Sequence, residues 1–155
     1  MQISLITIGH RMPDWVTQGY NEFARRMPPE CQLQLIELPL SKRSKGSDLA
    51  RLMMQEGERM LATIPKDALV VALEVEGKAW STPQLARQLE GWLQMGRNVV
   101  LLIGGPEGLA RACREKAEVR WSLSPLTLPH PLVRVVVAEQ LYRAMSIIKN
   151  HPYHK

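Results

Sequence analysis

A glycine-rich corner follows one of the most apolar stretches of the chain. Residues 104–108 read Gly-Gly-Pro-Glu-Gly and come directly after the run 98–103, which is apolar from Val99 onward. Ligands of open α/β sheets sit beyond the carboxyl ends of the strands, where glycine lets them approach the backbone closely. The corner has neither the glycine spacing of a dinucleotide fingerprint nor the lysine of a phosphate-binding loop. A ligand site and a tight strand-to-helix turn therefore fit it equally well.

A second candidate is the stretch 122–131, which reads Ser-Leu-Ser-Pro-Leu-Thr-Leu-Pro-His-Pro. Its three prolines disfavour an interior helix or a central strand, so we expect an ordered, stiff loop. Leu123, Leu126 and Leu128 would be poorly placed on an exposed connector. They suit a wall that offers apolar contact to a purine and backbone groups to its edge. An ordinary connector is the alternative.

The C-terminal tail 150–155 is short, aromatic and basic, with the sequence Asn-His-Pro-Tyr-His-Lys. Tails of this kind usually fray. Alternatively the tail folds over a site, where Tyr153 would stack on a base and His154 would form a hydrogen bond or transfer a proton. His151 and His154 lie three residues apart, but no cluster of Cys, Asp or Glu accompanies them. We therefore expect no metal site.

Composition favours a polyanionic partner only weakly. The chain has 20 Lys and Arg against 15 Asp and Glu, which gives a net charge of +5, and its isoelectric point is near 9.5. An excess of this size is also found in proteins that never bind nucleic acid. Six basic residues gather in the N-terminal third, where they suit phosphate contact or an ordinary solvated face: Arg11, Arg25, Arg26, Lys42, Arg43 and Lys45.

The length of 155 residues fits one domain with one hydrophobic core. Cys31 and Cys113 lack a Cys-x-x-Cys spacing and do not indicate a disulfide scaffold. The N-terminus lacks the basic start and cleavage site of a signal peptide, and no apolar run approaches ~18 residues. We therefore expect a soluble cytoplasmic protein with no membrane partner.

The elements that would position these residues alternate between short apolar runs and longer helical patterns. The continuous apolar run 68–73 is typical of a central parallel strand covered on both faces. The fold class predicted is α/β, with a mostly parallel sheet and helices on both faces. We expect strands at 3–8, 33–38, 68–73 and 98–103. We expect helices from Asp14 as N-cap to about 26, after Asp48 as N-cap, from Ser81 to about 95, and from 106 to about 118. The helix after Asp48 carries five apolar residues near helical spacing, which are Leu49, Leu52, Met53, Met60 and Leu61.

The last long helix is expected to begin after Pro131, and it is apolar on more than one side. One side can cover the sheet. The other side is best buried against a second copy of the chain, in the self-complementary interface that two-fold homodimers use. The sequence therefore predicts a homodimer.

Taken in order, these segments resemble the small SPOUT-class methyltransferases that modify N3 of a pseudouridine in the 23S RNA of the large ribosomal subunit. The resemblance spans nearly the whole chain. It is densest in five stretches, which are 12–15 (Met-Pro-Asp-Trp), 102–108, 121–124, 126–134 and 150–154.

The resemblance implies an enzyme with S-adenosylmethionine as methyl donor and without a metal. It implies a single SPOUT domain over residues 1–155, in which a C-terminal trefoil knot and the donor site occupy roughly 68–150 and the tail occupies 150–155. The implied donor site comprises residues of three loops: Leu73, Gly104, Leu123, Ser124, Pro125, Leu126, Thr127 and Leu128.

The resemblance also implies a composite site in a homodimer, where one subunit binds the donor and the tail of the other receives the nucleotide. Tyr153 and His154 are then expected to place the nucleotide, and His130 and Arg134 are nearby candidates for charge stabilisation. The group that removes the proton is left open. Because the chain has no room for a separate RNA-binding domain, the predicted substrate is RNA within the large subunit or the whole ribosome.

Two other functions remain as alternatives. One is a non-enzymatic ribosome-associated protein that keeps the fold, and the other is a general nucleotide-binding α/β module, which the missing fingerprint residues disfavour. One feature departs from the expectation for an RNA enzyme. Glu74 and Glu76 follow Leu73 directly, and acidic residues are not expected beside an RNA site.

Overall fold

The structure is a computed structural model that describes residues 1–9 and 11–155. Within these residues the chain forms one sheet of five strands with helices on both faces. The strands are β1 (Gln2–Ile8), β2 (Gln32–Leu38), β3 (Leu69–Ala79), β4 (Val99–Ile103) and β5 (Val119–Ser122). The helices are α1 (Asp14–Ala24), α2 (Leu49–Thr63), α3 (Thr82–Met95), α4 (Arg111–Lys116) and α5 (His130–Ile148), followed by a 3-10 turn (Pro152–His154).

The strands run in the order β2-β1-β4-β3-β5, and each pair of neighbours is parallel. The predicted α/β class with a mostly parallel sheet is therefore confirmed. β4 is buried along its whole length, which explains why it reads as an unbroken apolar run. Parallel pairing also brings the carboxyl ends of β3, β4 and β5 to the same edge of the sheet.

Side chains of the central strands alternate between two hydrophobic layers. Val71 and Leu101 face α1, α3 and α5, whereas Val70 and Leu102 face α2 and α4. This alternation follows from the two-residue period of a strand. Two helices begin with a side-chain N-cap. Asp48 accepts a hydrogen bond from the amide of Arg51 at the start of α2, and Ser81 forms a capping box at the start of α3.

Three predicted helix starts are wrong, and one strand was missed. Asp14 lies inside α1 and is not its N-cap, since Pro13 precedes the helix. α4 begins only at Arg111, because residues 105–108 form a turn with Gly108 at φ +87°. β5 was not expected at all. α5 begins at His130, one residue ahead of Pro131, whose missing N–H costs nothing in the first turn of a helix.

β3 continues six residues beyond its predicted end at Leu73. Its register against β5 shifts between Leu73 and Lys78, which leaves an irregular segment at the carboxyl edge of the sheet. Gly77 lies so close to β5 that a Cβ there would be 2.8 Å from backbone atoms of Arg120 and Trp121. This close approach holds the segment 74–76 at the end of the sheet.

α5 is the helix most deeply embedded in the molecule. Val137, Leu141 and Ala144 are fully buried, and the helix packs against both α1 and α3. Its other side is partly open, with Leu132 36% exposed. None of the described helices is long and apolar enough to cross a membrane.

Candidate functional site

A cavity of about 790 Å³ lies at the carboxyl ends of β3 and β4. Three segments form its walls: 73–76 at the irregular end of β3, 103–109 after β4, and much of 123–130 between β5 and α5. Its volume lies within the range of pockets that enclose whole cofactors or drug-sized ligands. The glycine corner (104–108) and the proline loop (122–131), which were identified separately in the sequence, thus line the same cavity.

The glycine corner is closed tightly on itself. A Cβ on Gly104 would overlap the backbone of Gly108 and would lie 2.5 Å from the amide nitrogen of Leu109. Gly108 donates its backbone N–H to the carbonyl of Gly105 at 3.0 Å. Only glycine fits at position 104, and the bare backbone forms part of the cavity wall.

The proline loop is ordered by its own hydroxyl groups. Ser122 donates to the carbonyl of Ser124 at 3.0 Å, and the hydroxyl of Ser124 accepts from the amide of Leu126 at 3.0 Å. The side chain of Leu126 is 71% exposed although it lines the cavity, which suits a wall that a ligand would cover.

Most residues of the predicted donor site line this cavity, and one does not. Pro125 is exposed and lies outside the lining, within the loop that it stiffens. Met53, Val75 and Val133 also line these walls, and no local pattern in the sequence identified them as site residues. The predicted residues that line the cavity are Leu73, Gly104, Leu123, Ser124, Leu126, Thr127 and Leu128.

His130 lines the cavity at the start of α5 and is held by two hydrogen bonds. Its Nε2 accepts from Nε of Arg134 at 3.0 Å, so the proton sits on Nδ1, and the ring donates to the backbone of Gly104. Burial lowers the pKa of His130 to about 4, and the charge of Arg134 contributes to the shift. The ring is therefore neutral at pH 7, with the lone pair of Nε2 already occupied.

Arg134 lies behind His130 and does not line the main cavity. It is 2% exposed, and its remaining donors reach three groups near the ends of β1 and β2. It donates to Glu37 at 2.8 Å, to the hydroxyl of Thr7 at 3.0 Å and to the carbonyl of Gly9 at 3.1 Å. A buried positive charge is thus fixed next to the His130 ring.

The acidic residues at the cavity edge have partners of their own. Glu74 forms ion pairs with Arg120 and, at 3.7 Å, with Arg114, which explains how a carboxylate is accepted beside the predicted site. Glu76 also lines the cavity and is exposed. Within residues 1–9 and 11–155, no group of three or more His, Cys, Asp or Glu side chains could hold a metal ion.

The basic residues of the N-terminal third do not form one free cluster. Arg25 and Arg26 both pair with Glu22 on α1. Arg43 points inward and pairs with Glu56 and Glu107, so it is not free for phosphate contact. Lys42 and Lys45 lie on the exposed side of the same loop.

The tail follows the far end of α5 and folds back along the helix. Tyr153 packs against Phe23 and Tyr142 with ring centroids 6.4 and 4.7 Å apart, and its hydroxyl donates to Glu139 at 3.0 Å. His154 buries its Nδ1 with no hydrogen-bond partner among the described residues. Since α5 has 19 residues, about 28 Å separate its two ends. Within one chain, neither Tyr153 nor His154 lines the cavity.

Comparison with known proteins gives concordant matches. Residues 1–154 match the family described as "Predicted SPOUT methyltransferase". The chain is 58% identical over 155 residues to the ribosomal RNA large subunit methyltransferase H of Hahella chejuensis, covering 100% of this chain and 99% of that protein. The protein of the same name from Thioalkalivibrio sulfidiphilus is 57% identical with the same coverage.

The fold also resembles a solved structure. A probable methylase family protein from Haemophilus influenzae matches with a TM-score of 0.53 at 16% identity, over 99% of this chain and 70% of that chain. At this level of identity the likeness supports the shared fold alone.

Proposed function

The chain belongs to the SPOUT methyltransferase family, and on that premise we propose that it methylates N3 of a pseudouridine in 23S ribosomal RNA with S-adenosylmethionine as donor. The cavity of about 790 Å³ at the carboxyl ends of β3 and β4 carries the proposal. The family match and the two curated relatives, which are named as ribosomal RNA methyltransferases, support it.

The walls of the cavity fit an adenosyl group. Because Gly104 has no side chain, the donor can approach the backbone closely there, and the leucines of the proline loop offer apolar contact to a purine ring. Glu76 at the rim complements the positive charge of a sulfonium donor. We assign donor binding to Leu73, Gly104, Leu123, Ser124, Leu126, Thr127 and Leu128, and we assign to Pro125 the stiffening of the loop.

When bound, S-adenosylmethionine supplies a methyl group activated by its sulfonium, so transfer breaks the carbon–sulfur bond, forms the N3–carbon bond and releases the N3 proton. His130 is assigned to positioning, because its Nε2 lone pair is already bonded to Arg134 and its ring fastens α5 to Gly104. Charge stabilisation is assigned to Arg134, whose buried guanidinium lies behind His130 and is partly balanced by Glu37. Proton removal is left to a group of the assembled site.

We propose a homodimer in which the tail of one subunit completes the cavity of the other. The hydroxyl of Tyr153 is bonded to Glu139, which lies about 14 Å along α5 from His130, and neither Tyr153 nor His154 lines the cavity of its own chain. Partly exposed apolar side chains offer an interface, among them Trp15 of α1 at 54% and Leu132 of α5, which neighbours the cavity-lining Val133. Tyr153 and His154 are then assigned to nucleotide placement.

We also propose a C-terminal trefoil knot within residues 68–150 and a cytoplasmic location, where ribosomes are the substrate. After β5 at the edge of the sheet, the chain returns across the carboxyl ends of the strands to α5, where Arg134 contacts Thr7 of β1. Such a return path is compatible with a threaded loop, although threading is rare among folds. Tracing residues 100–135 in a crystal structure tests the knot.

The function is tested by methyl transfer to ribosomes. Whole ribosomes, large subunits and free 23S RNA from cells lacking this gene are incubated with the protein and methyl-labelled S-adenosylmethionine, and the RNA is digested and analysed by mass spectrometry. We expect one labelled 3-methylpseudouridine, most efficiently on assembled particles. Donor binding without any transfer would instead favour the non-enzymatic, ribosome-associated role, and absence of donor binding would refute both the assigned site and the reaction.

A further inference from the structure

Arg43 lies between two carboxylates that belong to different parts of the molecule. Its Nη1 and Nη2 donate to Glu56 of α2 at 2.9 and 3.0 Å. Its Nε and Nη2 donate to Glu107 of the glycine corner at 2.9 and 2.6 Å. Nη1 also donates to the carbonyl of Ser41 in its own loop at 2.8 Å. All five N–H groups of the guanidinium are therefore bonded, which is the full capacity of an arginine.

The inner half of this arrangement is anchored in the protein. The side chain of Glu56 is 6% exposed and also accepts the amide of Ser41 at 2.8 Å. Burial opposes the ionisation of Glu56, but the bonds from Arg43 and Ser41 outweigh it and lower its pKa. The loop 39–47 and α2 thus hold Arg43 in one place.

The outer half reaches the cavity. Glu107 lines the cavity and lies in the turn 105–108, whose backbone packs directly against Gly104. This turn belongs neither to a helix nor to one of the five strands of the described sheet, and its one described backbone hydrogen bond joins Gly108 to Gly105. A bidentate ion pair from outside the turn adds a geometric restraint to a segment that has few backbone hydrogen bonds of its own.

We infer that Arg43 is a positioning residue that sets methyl-donor affinity by holding the glycine corner through Glu107. The inference rests on the proposed function. It predicts a specific kinetic pattern, because a loosened corner weakens binding of the donor but leaves the reacting groups of the bound state in place. The KM for the donor should rise while kcat at saturating donor changes little.

The test is donor affinity of the full-length protein, measured by calorimetry with S-adenosylmethionine. Arg43→Met should weaken binding about tenfold, and Glu107→Gln, which leaves the Arg43–Glu56 pair intact, about three- to tenfold. The donor affinity of Arg43→Lys should lie between those of wild type and Arg43→Met, since one ammonium cannot bridge two carboxylates bidentately. The double variant Arg43→Met with Glu107→Gln should be no weaker than Arg43→Met alone, because both changes break the same restraint.

Glu118→Gln is the matched control. It breaks another arginine–glutamate pair, with Arg97 at 3.2 Å, whose members do not line the cavity, and it should change donor affinity less than about twofold. If Arg43→Met unfolds, Glu107→Gln decides the test alone, because it removes the same restraint while Arg43 stays paired with Glu56. Unchanged donor affinity in folded Glu107→Gln, or a loss of kcat with unchanged affinity, overturns the inference. A wild-type protein that binds no donor refutes the proposed function instead.

Discussion

The two ends of α5 differ in almost every physical respect. At the first end, Arg134 is 2% exposed and bonded to His130, Glu37, Thr7 and Gly9. At the far end, Tyr153 lies in a half-exposed aromatic cluster beneath the guanidinium of Arg143, 4.8 Å from the ring centroid.

This difference indicates what each end is suited to bind. Saturated hydrogen bonds and a backbone without side chains fix a cavity in one shape, as a single small molecule requires. Aromatic rings and cations at the surface offer faces on which a base can stack and charges for a phosphate. Under the proposed function, α5 joins the cavity that binds the donor to an aromatic surface that receives the nucleotide.

The largest effect is expected at the cavity end of α5. Gly104→Ala places a methyl group inside the backbone of Gly108, so donor affinity should fall at least about 100-fold. Gly91→Ala is the control, because a Cβ at this position in α3 meets nothing within 4 Å. Calorimetry with S-adenosylmethionine measures both. Wild-type affinity in a folded Gly104→Ala protein would contradict the assigned wall of the cavity.

The next effect concerns the tail end of α5. His154→Ala and Tyr153→Ala should each lower methyl transfer to ribosomes, by roughly 10- to 100-fold for a nucleotide-placing group. Donor affinity should stay within about twofold, because neither residue lines the cavity of its own chain. Unchanged turnover with intact donor binding would remove the residue from this role.

Mixing subunits sharpens the same prediction. In the proposed homodimer, random pairing of coexpressed Gly104→Ala and His154→Ala chains makes about half of the dimers heterodimers. Each heterodimer retains one of its two composite sites, so activity should return to about a quarter of wild type. Each variant alone should remain nearly inactive. Heterodimers that form but show no recovered activity would refute a site shared between subunits.

The pH dependence of folding stability tests the cavity end of α5 without any ligand. The pKa of His130 is about 4 in the folded protein and near 6.5 when unfolded, so the unfolded chain binds more protons between these values. Stability should therefore fall by about 2 kcal/mol as the pH drops from 6.5 to 4, allowing for the partial exposure of the ring. Denaturant titrations should show a shallower fall in His130→Gln and an unchanged one in His151→Gln, which alters an exposed residue.

The smallest effect is expected from the exposed side of the loop that carries Arg43. Lys42→Gln with Lys45→Gln should weaken ribosomal RNA binding a few-fold and reduce its salt dependence by up to about 2 units of the log–log slope. Donor affinity should not change. Lys66→Gln, at an exposed site before β3, is the control. An unchanged salt slope would exclude this loop from phosphate contact.

The sequence predicted correctly those elements that are specified by their own residues. β1 and β4 are apolar because they are internal strands, and Asp48 and Ser81 cap helices with their own side chains. These features depend on neighbouring residues only, so the sequence reveals them before any tertiary contact is known.

The errors arise where tertiary contacts override the local pattern. On α2 the buried residues include Glu56 and Gly57, whereas Leu49 is 46% exposed, because Arg43 pairs with the glutamate inside the fold. β5 was missed because its four residues include Arg120, whose charge is compensated by Glu74 from β3. Neither partner can be identified from sequence spacing.

The candidate site was predictable in part for the same reason. Strand ends followed by glycine or proline mark the edge of a parallel sheet, and residues such as Gly104 and Leu123 do meet there. The position of Tyr153 depends on the length and direction of α5 and on its packing against Phe23. A tail that follows a helix carries no sequence signal for where that helix ends in space.

The unbroken course of α5 limits how the molecule can change. One residue inserted or deleted between Arg134 and Glu139 would turn everything beyond it by about 100° and shift it by about 1.5 Å along the axis. Tyr153 and Glu139 would turn together and keep their hydrogen bond, but Tyr153 would lose its contact with Phe23 of α1, and the buried Leu141 would leave the core. The residue count of α5 is therefore fixed by the two sets of contacts that it joins, those of Arg134 at its start and those of Tyr153 after its end.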